Sequence, residues 1–422
     1  MRTSRRRFLA GAAGLAGAAV WGTGCVFGQE DKPPRREPVW THIYPDGEGQ
    51  LPLTRSLVFS QGHVLGSSWR AGGGSVHAID PVTGAARWRR QLASGIGDID
   101  LAGDVLLVSP YQASDSWYGL DPASGEELWR SAAAPVNAPV VAGRRFYTTG
   151  TDAARGTTVH AIDLATGRTL WQAPVQSQSR TCAVVGDVVV VAGTDTRLTG
   201  LNAADGRVRW RVEVEGTPSE DELVSAGDTV ILLATRRVTA LDPATGRERW
   251  AAGTDSAPWA FAAPPGTPPG RFFTTGPGEV VRYDLATGRR DWTADVDQGP
   301  LKANGVAIAE DRVFVSAGDK GTNYESNDMN PTGRLYAFDL AAGRRLWSHD
   351  TDGPGVDSFR VVPGTALVRQ EGKDLYARDT GTGKPRWRVT TDDHNALEHP
   401  PVVAHGLVVW TTGQGLSAVP LV

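Results

Sequence analysis

The sequence predicts an all-β fold, a β-propeller of four-stranded antiparallel blades. Three observations carry that reading. One phrase (aspartate, three residues, glycine, three residues, tryptophan) recurs along most of the 422-residue chain. Two apolar, β-branched runs split by a glycine-containing turn stand ahead of the phrase, as in 139–150, 183–193 and 222–235. Helical periodicity is absent after residue 25. The 51 Gly and 27 Pro supply the turns such a chain needs, and 14 Trp supply bulk for its blades.

The first element is an address. Ser4-Arg5-Arg6-Arg7-Phe8-Leu9 fits the twin-arginine export pattern, in which Arg5, Arg6, Phe8 and Leu9 carry the signal. The Ala/Gly/Leu stretch behind it falls short of the ~20 apolar residues of a membrane span. Residues 1–24 are therefore expected to be a signal peptide. Gly22-Thr23-Gly24-Cys25 resembles a lipoprotein cleavage box, with Cys25 as the lipidated residue. Cleavage nearby without lipid, giving a free secreted protein, is the alternative. Residues 25–38 follow as a polar, Pro-rich tether, and the propeller is expected over 39–422. Loss of residues 1–24 leaves 39 Lys and Arg against 47 acids, so the chain lacks the basic surplus of a nucleic-acid binder. With Cys25 in lipid, Cys182 stands alone and no intramolecular disulfide can form.

The repeated phrase comes next. It occurs as Asp80/Gly84/Trp88, Asp121/Gly125/Trp129, Asp163/Gly167/Trp171, Asp242/Gly246/Trp250, Asp284/Gly288/Trp292, Asp339/Gly343/Trp347 and Asp379/Gly383/Trp387. Asn202/Gly206/Trp210 is an eighth copy with the nearest isostere of aspartate. Asp and Asn side chains accept from backbone N–H groups two or three residues on and so start a turn. Pro81, Pro122 and Pro243 preset the φ of the next position. The glycine supplies a positive φ and a bulge. Each phrase thus reads as strand, tight turn, and a strand carrying Trp. Two residues before the Asp the side chain is small (Ala78, Gly119, Ala161, Gly200, Ala240, Ala337, Ala377), with Arg282 the exception. A one-residue bulge places this position across from the Trp and leaves room for the indole. The tryptophans are expected to pack blade against blade.

The last element is the closure. Residues 401–422 supply three strands and stop before a phrase, while 37–44 holds Trp40 on a strand with nothing ahead of it. The Trp40 strand is expected to complete the last sheet and tie the ends together. Counting that composite sheet, the repeats allow nine units.

The Asp-x-x-Thr-Gly-x-x-x-Trp phrase resembles the repeat of the PQQ-like, or quinoprotein-dehydrogenase-like, β-propeller family over roughly residues 37–422. Within it the chain resembles the BamB-like, non-enzymatic lipoprotein branch. The resemblance implies eight blades and a place in the cell envelope. The enzymatic members imply a pyrroloquinoline quinone (PQQ), a calcium ion, a catalytic Asp and a vicinal Cys–Cys disulfide. Cys25 and Cys182 are far apart, and no local motif takes over the other roles. No H-E-x-x-H, P-loop, G-x-S-x-G or Rossmann glycine phrase is present. No catalytic residue and no cofactor are therefore expected.

With strands in order A to D, the phrases lie on one face of the ring. The B–C loops and the connections between blades lie on the other. That loop face collects Asp98, Asp100, 220–222, Asp297, Lys302, Asp357, Arg360, and His394 and His399 in the acidic stretch 392–399. It also collects the insertion at 317–334, where Asp319 and Glu325 offer oxygen ligands without EF-hand spacing. This acidic, loop-varied face is the expected binding surface. The leading expectation is an exported, monomeric scaffold for envelope proteins, held to the membrane through lipid alone. The alternatives are a PQQ-dependent or other periplasmic oxidoreductase, and a glycan- or cation-binding module.

Overall fold

In a computed structural model of the chain, the described residues are 33–45, 57–70, 73–112, 116–131, 137, 139–152, 156–175, 182–192, 196–215, 218–234, 236–254, 260–262, 267–276, 278–296, 302–318, 333–351, 359–362, 366–371, 374–390, 401–412 and 414–422. The propeller unit is Pro33–Val422. The fold is an all-β propeller of four-stranded antiparallel sheets. Eight sheets use consecutive strands: Leu57–Leu92, Ile96–Ser131, Val140–Val175, Cys182–Glu213, Pro218–Gly253, Ala260–Asp295, Lys302–Asp350 and Phe359–Thr390. They are numbered 1 to 8 here. A ninth sheet is composite: Val402–Ala404, Leu407–Thr412 and Gly415–Pro420 take Trp40–Ile43 as their fourth strand. The resemblance implies eight blades; the chain carries eight continuous ones, and the N-terminal strand makes a ninth sheet.

The ring closes through its cores. Each neighbouring pair of sheets shares one apolar cluster, from Leu65, Val76, Ile99 and Leu106 between sheets 1 and 2 to Leu375, Trp387, Val408 and Val419 between sheets 8 and 9. Val64 and Ile79 of sheet 1 meet Val409 and Leu416 of sheet 9, which completes the circle. First strands of neighbouring sheets approach one another and so lie inward. Fourth strands lie at the rim, where Val208–Glu213 and Glu248–Gly253 alternate between exposed and half-buried residues.

The phrase folds as its residue types dictate. Asp121 Oδ1 accepts the N–H groups of Ala123 and Ser124 at 2.9 and 2.8 Å, and Asn202 Oδ1 accepts that of Ala204 at 2.8 Å. The small residue faces the indole, as in Ala78 opposite Trp88 and Gly200 opposite Trp210, and the register shifts one step later. Where Arg282 takes this place, its guanidinium lies over Trp292, 5.7 Å from the ring centroid, and its Nε donates to Asp291 at 3.0 Å.

Each phrase also grips its neighbour, and here the structure goes beyond what the residue types imply. The spacing makes Gly84 a turn closer and Trp171 and Trp347 packing bulk; each has a second role in a joint. The indole Nε1 donates to the carbonyl just after the next phrase's Asp or Asn: Trp129 to Leu164, Trp210 to Pro243 and Trp250 to Leu285, each at 2.8 Å. Trp171 donates to Ala203 O at 3.0 Å, Trp347 to Thr380 O at 3.1 Å and Trp292 to Leu340 O at 3.2 Å. Trp40 continues the series to Pro81 at 3.0 Å, and Trp387 donates to Leu421 at 2.9 Å. Trp88 departs from it, because its Nε1 is buried with no hydrogen-bond partner. The indole also lies beneath the next phrase's glycine. A Cβ on Gly246 would meet Trp210 Cε3 at 2.6 Å, and one on Gly84 (φ +71°) would meet Trp40 Cδ2 at 2.7 Å. Burial of the indoles is uneven. Trp171 is buried, whereas Trp347 is half-buried and has the His349 ring beside it, 5.7 Å between centroids.

The glycine contact separates two kinds of turn glycine. Gly246 (φ +71°) has no room, whereas Gly143 (φ +60°), in an A–B turn, has nothing within 4 Å of an added Cβ. Left-handed backbone alone costs an L-residue about 1–2 kcal/mol. Gly143→Ala is expected to lose about that much. Gly246→Ala must also displace the Trp210 indole and is expected to lose clearly more. Urea unfolding of the two variants checks this, and equal losses would show that the indole contact carries no weight.

Candidate functional site

Strand order sorts the molecule into two faces. A–B turns and phrases share the turn face, where they are bonded together. Leu164 N–H donates to Arg144 O at 2.9 Å, Ala203 to Asp187 at 2.9 Å and Leu340 to Asp311 at 2.9 Å. B–C loops and connections between sheets form the loop face. Of the residues expected to bind there, Asp297, Asp319, Glu325, Asp357, His394 and His399 lie outside the described residues. So do Arg5, Arg6, Phe8, Leu9 and Cys25. Lys302 opens the first strand of sheet 7. Arg360 is on the first strand of sheet 8, and its Nε donates at 3.3 Å to the carbonyl of Pro401, the residue just before sheet 9, so it also ties two neighbouring sheets. Asp98 and Asp100 are exposed on the inner strand of sheet 2, each accepting a backbone N–H from the residue after it.

The turn face holds charge that the strand reading passed over. A cleft of about 440 Å³ between sheets 4 and 5 is lined by Asp187, Asp228, Asp242 and Arg249. Arg249 reaches Asp228 at 3.1 Å and Asp242 at 3.4 Å, and Arg209 pairs with Asp187. The Thr229 hydroxyl and then Arg249 hold the Asp228 carboxyl below its usual range. These carboxylates are therefore compensated within the cleft.

The phrase aspartates are acid-sensitive by the same physics. Arg87 and the Thr83 N–H lower the Asp80 pKa, and the Ser124 N–H lowers that of Asp121. The hydroxyls of Thr166 and Thr287 lead for Asp163 and Asp284, and Arg386 leads for Asp379. A folded-state pKa below the unfolded value near 3.9 gives stability that is full above about pH 4 and lost as pH falls. Asp121→Asn, which copies Asn202, is expected to leave neutral-pH stability nearly unchanged and to move the acid-unfolding midpoint lower. An unchanged midpoint in a pH titration followed by circular dichroism would refute the link.

The seam between sheets 9 and 1 is the other place the sequence did not flag. Tyr44, fully buried, stacks on His77 with ring centroids 3.9 Å apart. His77 Nε2 lies 3.2 Å from Ser68 Oγ. Gly66 makes the room, since a Cβ there would collide with the Tyr44 hydroxyl. Only the ring closure brings residues 44 and 77 together, so no local spacing announces the pair.

The phrase indoles, Trp171 and half-buried Trp347 included, sit in joints between sheets and offer no open platform for a planar ring. Cys182 is buried, and desolvation pushes its thiol up to about 12. Among the described residues no three of His, Cys, Asp or Glu converge on a point that would hold a metal ion.

Known proteins share this architecture. BamB of Bordetella pertussis (strain Tohama I) is 24% identical over 219 residues, 47% of this chain. That match spans only about half, 55%, of the relative's length. The crystal structure of BamB from Moraxella catarrhalis superposes with a TM-score of 0.53 at 18% identity, covering 77% of this chain and 96% of that one. The quinohemoprotein alcohol dehydrogenase of Comamonas testosteroni gives 0.53 at 14% identity, covering 77% and 74%. At these identities both structures show the fold alone. The sequence matches one family over residues 17–134, 113–259 and 234–420. By its repeats, its sheets and this match, the chain belongs to the family described as outer membrane protein assembly factor BamB.

Proposed function

We propose that the protein is an exported, lipid-anchored, non-catalytic propeller that serves as an interaction scaffold for proteins of the cell envelope. One observation carries the reading. The side chains that the repeat multiplies are spent on architecture: Asp and Asn on the turn, Gly and Trp on the joint with the next sheet. What varies from blade to blade is the loop face, and rigid rings with variable loops suit docking. Membership of the BamB family supports an envelope role. The twin-arginine pattern and Cys25 support export and a lipid anchor for a monomer.

Crosslinking with mass spectrometry in the native envelope would identify the partners. Replacing Asp297, Asp319, Glu325 and Asp357 together by their amides is expected to lower capture of those partners without lowering the melting temperature. Unchanged capture would remove the loop face from the reading. The second reading is a quinone-dependent oxidoreductase, favoured by the fold shared with quinohemoprotein alcohol dehydrogenases. Incubation of the protein with PQQ and calcium decides it. A quinone absorption band together with dye reduction by alcohols or sugars would overturn the scaffold.

A further inference from the structure

The residue after each phrase glycine stands at the tip of the turn face. In sheets 3 to 8 it is always a cation: Arg168, Arg207, Arg247, Arg289, Arg344 and Lys384, every one exposed. Arg207 approaches Asp205 at 3.6 Å and Arg289 approaches Asp291 at 3.9 Å. Among the described residues Arg168, Arg247, Arg344 and Lys384 have no ion pair. The phrase aspartates share this face and stay ionised, but they are hydrogen-bonded within their own turns and set lower than the tips: the Asp242 and Asp284 side chains are 32% and 18% exposed, against 88% and 77% for Arg207 and Arg289. Sheets 1 and 2 carry Ala85 and Glu126 at the same position, so six successive sheets form a basic arc with a gap.

A second, independent observation says what this arc faces. Residues 34–36 run parallel to the outer strand of sheet 8, Pro385–Thr390: Arg388 N–H donates to Pro34 O at 3.1 Å, and Arg36 N–H donates to Arg388 O at 2.7 Å. That strand leaves the turn face, because it begins just after the phrase of Asp379 and Gly383. A segment parallel to it also climbs away from the turn face, so the described chain starts, at Pro33, on the turn-face side. The Arg36 guanidinium fixes this direction. It lies 5.0 Å from the Trp387 ring centroid and donates to Pro420 O at 2.7 Å. Cys25 stands eight residues before Pro33 in sequence, a reach of at most about 29 Å when fully extended.

We propose that the turn face docks on the anionic phospholipid surface of the membrane that holds the lipid of Cys25, with the basic arc against the headgroups. This rests on the lipid-anchor reading above and extends it. The propeller unit begins, at Pro33, on the side that carries the cations, and that side is the one turned to the bilayer. Docking this way turns the loop face outward to partners. A lipid anchor holds the protein to the bilayer but leaves its orientation free, and a basic patch is a common second attachment that would set it. Each cation near an anionic bilayer adds roughly fivefold in affinity, an effect that salt screens.

The test uses the full mature chain and its Cys25→Ser variant. The probes are mixed phosphatidylcholine–phosphatidylglycerol vesicles and pure phosphatidylcholine vesicles. The Cys25→Ser protein is expected to bind the mixed vesicles in a salt-sensitive manner and to leave the pure ones. Arg168→Gln, Arg247→Gln, Arg344→Gln and Lys384→Gln combined are expected to weaken that binding by at least about tenfold, at unchanged melting temperature. Equal binding by this variant, or equal binding to both vesicle types, overturns the proposal. Orientation has its own readout, because the buried Cys182 leaves an introduced surface cysteine to be labelled selectively. A fluorophore at Ala342→Cys, in a phrase, is expected to be quenched by nitroxide-bearing lipid, and one at Thr196→Cys, on the loop face, is not. The reverse pattern overturns the proposal. The mass of the N-terminal peptide tests lipidation of Cys25 separately, so failure of the anchor and failure of the arc are told apart.

Discussion

Trp387→Ala is expected to cost about 3–5 kcal/mol, the largest loss of any single joint tryptophan. Trp387 is 1% exposed and packs among Leu375, Val389, Val408 and Val419, where sheets 8 and 9 meet. Its indole N–H donates to Leu421 O, and the Arg36 guanidinium covers its face. Alanine leaves a cavity where the indole stood and strands a buried carbonyl. Trp387→Phe keeps most of the apolar area but loses the hydrogen bond, so about 1–2 kcal/mol is expected. Trp88 supplies the control, because its buried Nε1 makes no such bond. Trp88→Phe forfeits no bond and is expected to cost less than Trp387→Phe. Urea unfolding of the three variants tests the order. If Trp88→Phe proves as costly as Trp387→Phe, the hydrogen bond to the next sheet does not stabilise the joint.

Most of this joint can be read from the sequence, for a local reason. The turn chemistry of Asp121, the positive φ of Gly125 and the smallness of Gly119 opposite Trp129 are properties of residues a few positions apart. Spacing therefore records them. The partner of each indole lies further along the chain, in another sheet, yet repetition makes it inferable, since every blade meets a copy of itself. What spacing does not record is the second role of a residue such as Gly84, whose missing Cβ makes room for Trp40 from the far side of the ring closure. The ring closure was legible because Trp40 and the three C-terminal strands are incomplete in complementary ways. Tyr44 against His77 was not, because that contact occurs once, at the seam, and no repeat announces it. The expected loop-face site stays a matter of composition: Asp98 and Asp100 lie on a strand instead of a loop, and most of the other acids lie outside the described residues. The basic arc was on the page as six Arg or Lys after six glycines. It acquires meaning only when strand direction puts those tips and the start of Pro33–Val422 on one side.

A disulfide between Thr41→Cys and Ser417→Cys is expected to stabilise the protein by about 2–4 kcal/mol. The closing strand is held by four register pairs, Trp40 with Ala418 through Ile43 with Gly415. Among the described strands it alone has sheet neighbours from the other end of the chain, so unzipping it opens the ring without breaking any continuous sheet. Thr41 and Ser417 face each other there, with their hydroxyl oxygens 2.9 Å apart. Bonds from Val39 N–H to Ala418 O and from Tyr44 N–H to Gln414 O flank them. Thr41 occupies the place after Trp that Arg388 occupies in sheet 8, where both backbone groups point outward. That makes it a non-hydrogen-bonded pair, the kind whose Cβ atoms approach closely enough for a disulfide. The bridge spans 376 positions, so it removes much of the freedom of the open chain. Buried Cys182, with its thiol pushed up to about 12, is a poor competitor for the new pair. Melting the same variant oxidised and reduced isolates the effect. A clear gain on oxidation is expected if opening of the composite sheet is the first step of unfolding. Equal melting temperatures would mean that the ring fails first at one of the seven joints between continuous sheets or within a blade, and that its closure is no weaker than the rest.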